Sequence, residues 1–153
     1  MRYQFKWQDV PAWTIPQNNQ RNLEATIRRA IELGINHIET ARGYGTSEVQ
    51  LGRILPLGDR DRLIVQTKVN PSQNPNEFRQ KFEQSLRNLR LDYIDLLGIH
   101  GINDAETLHQ TIRPGGCLEL ARQWQAQGKV RFIGFSTHGA TEIITQAIAT
   151  NEF

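Results

Sequence analysis

The sequence predicts an α/β protein in which strand–helix units build a parallel sheet. Two observations carry this. Short runs of β-branched and aliphatic residues alternate with longer stretches whose apolar residues recur three or four apart. The runs end near residues 40, 68, 100 and 136, so they are spaced by 28, 32 and 36 residues. Each spacing is the length of a strand, a helix and two loops, and such alternation argues for right-handed crossovers between parallel strands.

The elements follow in order. Residues 1–18 match neither period. They hold Tyr3, Phe5, Trp7 and Trp13 among polar residues and two prolines, and are expected to form an irregular loop. Asn22 to Leu33 reads as a helix through Leu23, Ile27 and Ile31, with Gly34 at its C-terminal cap. Ile35 to Thr40 reads as the first strand. Ser47 and Gln50 suggest a capping box for a helix using Leu51, Ile54 and Leu55. Leu63 to Val69 is the second strand. Asn74-Pro75 starts a helix with proline at the first position, and Phe78, Phe82, Leu86 and Leu89 form its apolar stripe. Tyr93 to His100 is the third strand. Asp104 to Ile112 reads as a short helix, and Gly115-Gly116 breaks the chain. Leu118, Ala121 and Trp124 mark a helix ended by Gly128. Lys129 to Ser136 is the fourth strand, and Thr141 to Thr150 a last helix.

Composition narrows the function classes. The chain has 153 residues, enough for one domain with a sizeable core. Its net charge is +2 and its basic residues are scattered, so nothing argues for nucleic acid or an anionic membrane surface. No apolar run approaches the roughly 18 residues of a membrane helix. The first ten residues lack the apolar region of a signal peptide, so a cytoplasmic location is expected. Cys117 is the only cysteine, which excludes an internal disulfide and argues against structural zinc; no metal is expected.

Parallel α/β sheets place their sites at the carboxyl ends of the strands. Those ends carry Glu39-Thr40, Lys68, His100 and Ser136-Thr137, and Tyr44 follows the first strand between Gly43 and Gly45. Singly, each has an ordinary reading. Lys68 could be solvated, and His100 could be a hydrogen-bonded loop residue. Glu39 could cap a turn or pair with Arg42, and Tyr44 could be a turn aromatic. Together they have complementary chemistry. A tyrosine hydroxyl in water is too weak an acid for neutral pH, and a nearby ammonium favours its ionised form. A carboxylate would hold that lysine in place. A histidine can donate a hydrogen bond to a carbonyl oxygen. Such a site protonates a carbonyl oxygen while a cofactor delivers hydride to the carbon.

These residues lie in motifs that resemble the aldo-keto reductase family. Residues 34–52, GINHIETARGYGTSEVQLG, resemble the family's signature around its catalytic acid and tyrosine. Thr67-Lys68, the strand YIDLLGIH at 93–100 and GKVRFIGFS at 128–136 follow in the family's order. The resemblance covers roughly residues 20–150. It implies a TIM-type (β/α)8 barrel and NADPH-dependent reduction of an aldehyde or ketone. It makes Tyr44 the general acid, Lys68 the cation beside it, Glu39 the carboxylate partner and His100 the substrate-orienting residue. Ser136 and Thr137 would touch the nicotinamide carboxamide.

The sequence departs from the family in three ways. Glu39 stands where the family usually has Asp, which moves the carboxylate outward by about one C–C bond, roughly 1.5 Å. Thr137 stands where many members have Asn, and His138 follows it. Some longer members carry a C-terminal iron–sulfur segment, which one cysteine cannot build. The largest departure is length. The resemblance makes residues 1–153 a partial barrel domain holding the second to fifth strands. The family's N-terminal hairpin and most of its first strand are then expected upstream of Met1, and the last three strands after Phe153. The missing part is where the family binds the pyrophosphate and adenine-ribose phosphate, so this chain alone is expected to bind NADPH weakly or not at all.

The competing expectation is a catalytically inactive half-barrel, or a subunit that associates with itself through exposed sheet edges. An open doubly wound domain is disfavoured, because no Gly-x-Gly-x-x-Gly follows any strand. The expected partner is a small carbonyl compound of unspecified identity. Trp7 and Trp13 are candidates to line its pocket.

Overall fold

The computed structural model describes residues 5–55 and 60–153. Tyr3, placed in the N-terminal loop by the sequence, lies outside them. Strands β1 (His37–Glu39), β2 (Ile64–Val69), β3 (Ile94–His100) and β4 (Val130–Ser136) form one parallel sheet in the order β1-β2-β3-β4. Among the described residues the helices are α1 (Gln17–Glu32), α2 (Ser47–Leu51), α3 (Pro75–Leu89), α4 (Ala105–Ile112), α5 (Cys117–Ala126) and α6 (Thr141–Ala149). No helix among them is long and apolar enough to cross a membrane.

Local signals account for several of these elements. At α3, Asn74 Oδ1 accepts the Asn76 amide at 3.0 Å and Pro75 takes the first turn. Phe78, Phe82 and Leu89 are fully buried, with Leu86 at the margin. Trp124 of α5 lies over this stripe, its ring 4.0 Å from Phe82 and 5.5 Å from Phe78. Asp104 caps α4 by accepting the Thr107 amide at 2.7 Å.

Four expectations are corrected. Helix α1 begins at Gln17 rather than Asn22, so the N-terminal loop is shorter than residues 1–18, and Ala12–Thr14 adds a short 3-10 turn. The first turn of α1 docks through amides instead of apolar side chains: Asn19 Oδ1 accepts from Gln50 Nε2, and Gln20 Nε2 donates to the Gln50 carbonyl. The apolar period therefore starts late. Strand β1 is three residues, not six. Ile35 instead closes the C-terminus of α1, its amide donating to the Ala30 carbonyl at 2.9 Å. The Ser47–Gln50 capping box does not form. Thr46 is the N-cap, and its hydroxyl accepts from the Phe5 amide and donates to Gln50 Oε1, while Ser47 Oγ shares a hydrogen bond with Thr40. Tertiary partners claim both members of the motif. Helix α2 also ends at Leu51, leaving Ile54 and Leu55 beyond it.

Side chains alternate across a strand, so the register sorts them. Ile38, Val65, Thr67, Val69, Leu97 and Ile99 share one face and are buried on the helix side. Lys68, Gly98, His100, Gly134 and Ser136 share the other. That second face also carries Ile64 and Phe132, which is 60% exposed.

Candidate active site

Hydrogen bonds stitch the carboxyl ends of the four strands together. The Arg42 amide donates to the Lys68 carbonyl at 2.8 Å, extending the β1–β2 ladder past the strand. Asn70 Nδ2 donates to the His100 carbonyl at 3.2 Å, and the Gly101 amide donates to the Ser136 carbonyl at 2.8 Å. Each strand end is thus fixed to the next, and their side chains converge.

The Tyr44 loop is held from two sides. The Tyr44 amide donates to the Ala41 carbonyl, and the Ser47 amide to the Tyr44 carbonyl. Residues 5–7 press on it from outside. Gly45 adopts φ +55°, and a Cβ there would stand 2.0 Å from the Lys6 carbonyl oxygen, so both backbone and space demand glycine. Trp7 meets the Tyr44 ring edge-on, with centroids 6.4 Å apart. Trp13, by contrast, is 85% exposed.

Tyr44, Lys68, Glu39 and His100 come together. Lys68 Nζ pairs with Glu39 Oε1 and lies 5.2 Å from the Tyr44 ring centroid. The Tyr44 and His100 rings meet at 5.8 Å, nearly perpendicular. Tyr44 is buried, as is the Lys68 side chain; the Glu39 side chain remains 43% exposed. Glu39 therefore pairs with Lys68 and not with Arg42, which instead grips Asp9 through both guanidinium ends.

The electrostatics match this geometry. Burial pulls the Lys68 ammonium down, but hydrogen bonds and charge interactions with Glu39 and Tyr44 outweigh it and hold it above the ordinary lysine value. The hydrogen bond from Lys68 holds the Glu39 carboxyl below its ordinary value, against partial desolvation. Both groups are charged at neutral pH. Arg42 is raised chiefly by its hydrogen bond to Asp9.

Ser136 and Thr137 lie at the end of β4 beside His100, with which Ser136 is in register. Ser136 Oγ is buried and has no hydrogen-bond partner among the described residues. A buried hydroxyl without a partner suits a ligand that offers an amide. The Thr137 hydroxyl is engaged locally, accepting from the Gly139 amide at 2.8 Å and reaching Asn103 at 3.4 Å. Asn103 Oδ1 also accepts the His138 amide, so it braces this loop. Among the described residues no three His, Cys, Asp or Glu side chains cluster as metal ligands do.

Sequence reasoning missed three supporting residues: Asn70, Asn103 and Glu48. Glu48 is fully buried behind β2, where it accepts from Thr67 Oγ1 at 2.7 Å and Asn88 Nδ2 at 3.1 Å. The available signal was its place inside the Tyr44 motif, on a helix turn flanked by buried Ser47 and Gln50.

The sequence profile described as the aldo/keto reductase family matches residues 4–152. The chain belongs to the aldo/keto reductase family. It is 33% identical over 132 residues to an aldo-keto reductase of Bacillus subtilis, covering 78% of this chain and 38% of that protein. It is 34% identical over 121 residues to L-galactose dehydrogenase of Arabidopsis thaliana, covering 73% and 37% of the two chains. Among solved structures, an aldo-keto reductase from Klebsiella pneumoniae in complex with NADP and acetate superposes with a TM-score of 0.69 at 26% identity, over 94% of this chain and 49% of that one. The chain thus spans under half the length of these relatives. The four parallel β/α units match part of the fold of these relatives, and the family they share is one of oxidoreductases.

Proposed function

We propose that this chain carries the proton-donating half of a carbonyl reductase site, acting with NADPH on an aldehyde or ketone. The observation that carries the reading is the Glu39–Lys68–Tyr44 chain, its lysine and tyrosine buried, with the Tyr44 ring against His100. Tyr44 gives its hydroxyl proton to the carbonyl oxygen. The phenolate left behind is stabilised by the Lys68 ammonium, which Glu39 keeps charged and in place. His100 orients the carbonyl oxygen by a hydrogen bond. A bound nicotinamide dinucleotide supplies the hydride, which no side chain can. Ser136 Oγ fits a contact to its carboxamide, with Thr137 holding the loop beside it. A small molecule of this kind is the expected partner.

The test is carbonyl reduction with NADPH by a protein that holds this chain and the remainder of its barrel. Tyr44→Phe keeps the ring contacts to Trp7 and His100 and removes only the acid. It is expected to lower kcat by about 10²–10⁴, the usual contribution of a positioned general acid. An active parent whose rate survives Tyr44→Phe would remove this mechanism.

A second reading is a non-catalytic half-barrel that pairs with another copy. The exposed Ile64 and Phe132 on the inward face favour it. Sedimentation of this chain tests it: a dimer without NADPH binding supports the second reading, and a monomer opposes it.

A further inference from the structure

Lys68 reaches its partners across a place where β3 has no side chain. Gly98 faces Lys68 in the β2–β3 register. A Cβ built on Gly98 would stand 2.8 Å from Lys68 Cγ and 3.5 Å from Cδ. Carbon atoms prefer a separation of about 3.5–4.0 Å, so 2.8 Å is a clash. Cγ is set by the first side-chain torsion alone, so the clash cannot be relieved at the flexible end. Lys68 would have to change rotamer, and its ammonium would leave Glu39.

The lean over β3 also has a reason on the opposite side. Glu39 sits on β1 and carries one methylene more than aspartate, so its carboxylate reaches further toward Lys68. A lysine stem that lies over β3 leaves room for it. Gly134 is the natural control. It faces Gly98 across the β3–β4 register, and a Cβ there meets nothing within 4 Å.

We infer that Gly98 is a positioning residue, whose missing side chain seats the Lys68 stem so that the ammonium meets Glu39 and Tyr44. The consequence for turnover rests on the reductase reading; the packing does not. The experiment is a thermal-unfolding cycle on this chain with Gly98→Ala, Lys68→Ala and the double variant, beside Gly134→Ala. Gly98→Ala lowers Tm, the loss disappears when Lys68 is already alanine, and Gly134→Ala leaves Tm unchanged. An equal loss in the Lys68→Ala background overturns the inference, as does equal damage from Gly134→Ala. Should Gly98→Ala fail to fold, the double variant must fold; its failure also overturns the inference. A side-chain NMR titration of Lys68 in a folded Gly98→Ala chain reads position directly. The lysine should titrate lower than in the parent, and an unchanged titration refutes the seating. In a protein that joins this chain to the remainder of a barrel, Gly98→Ala lowers kcat with KM little changed. A parent without reductase activity would sink the functional reading and leave the unfolding cycle to judge the packing.

Discussion

Replacing Glu48 with alanine removes the carboxyl that ties α2, β2 and α3 together behind Lys68. Its oxygens accept from Thr67 and Asn88, and Thr67 directly precedes Lys68 on β2. The buried Thr67 hydroxyl left without an acceptor costs about 1–3 kcal/mol, and the half-buried Asn88 amide, which water can reach, costs less. The lost methylene adds about 0.8 kcal/mol. Against this, alanine relieves the burial of a carboxyl, so roughly 2–3 kcal/mol is the reasonable expectation. At about 2–4 °C per kcal/mol for a chain of this size, Tm falls by roughly 4–12 °C. Glu48→Gln keeps an acceptor for Thr67 and should lose far less. The pH dependence separates the two effects. Burial raises the Glu48 carboxyl above its ordinary 4.5, against the hydrogen bonds from Thr67, Ser85 and Asn88. The folded chain then holds this proton more tightly than the unfolded chain does. The resulting stability is complete below 4.5 and declines as pH rises through the raised folded value. Glutamine does not titrate, so the Tm of Glu48→Gln should gain on that of the parent as pH rises from acid toward neutral. Circular dichroism melts across that range measure it. Parallel curves for the two chains, or glutamine as damaging as alanine, would refute the reasoning.

Two further outcomes are expected. Phe82→Ala empties the fully buried site stacked on Trp124 and should cost about 3–5 kcal/mol, measured by urea unfolding. The Glu39–Lys68 pair should give a plateau of stability with two flanks. Its contribution is present above the ordinary Glu value of 4.5 and lost as pH falls through the depressed folded value. At the other end it is present below 10.5 and lost as pH rises through the raised folded value of Lys68. Glu39→Gln removes the acid flank, which denaturation at fixed temperature across pH detects; an acid flank that persists in Glu39→Gln belongs to another group.

The difference between the parts of the site that were legible and the parts that were not is one of range. The α3 stripe, the Asn74-Pro75 start and the Asp104 cap depend on residues within a few positions of each other, and period and cap chemistry reveal them. Tyr44, Lys68 and His100 were legible because parallel strands bring their carboxyl ends to one rim, so position on the strand already implies convergence. Ser47 and Gln50 had the spacing of a capping box, but Thr40, Phe5 and Asn19 bind them instead. The start of α1 was hidden for the same reason, because its first turn docks through Asn19 and Gln20 onto Gln50.

By itself, the sequence determined the parallel strand–helix order, the family, and the polar side chains that end each strand. Tertiary structure chose Lys68 over Arg42 as the partner of Glu39, and it alone decided that Glu48 braces β2 from behind and that Gly98 lies against the lysine stem. Periodicity and motif spacing record which face a residue takes. They carry no distance between atoms brought together from separate strands, and the Lys68 ammonium depends on those distances.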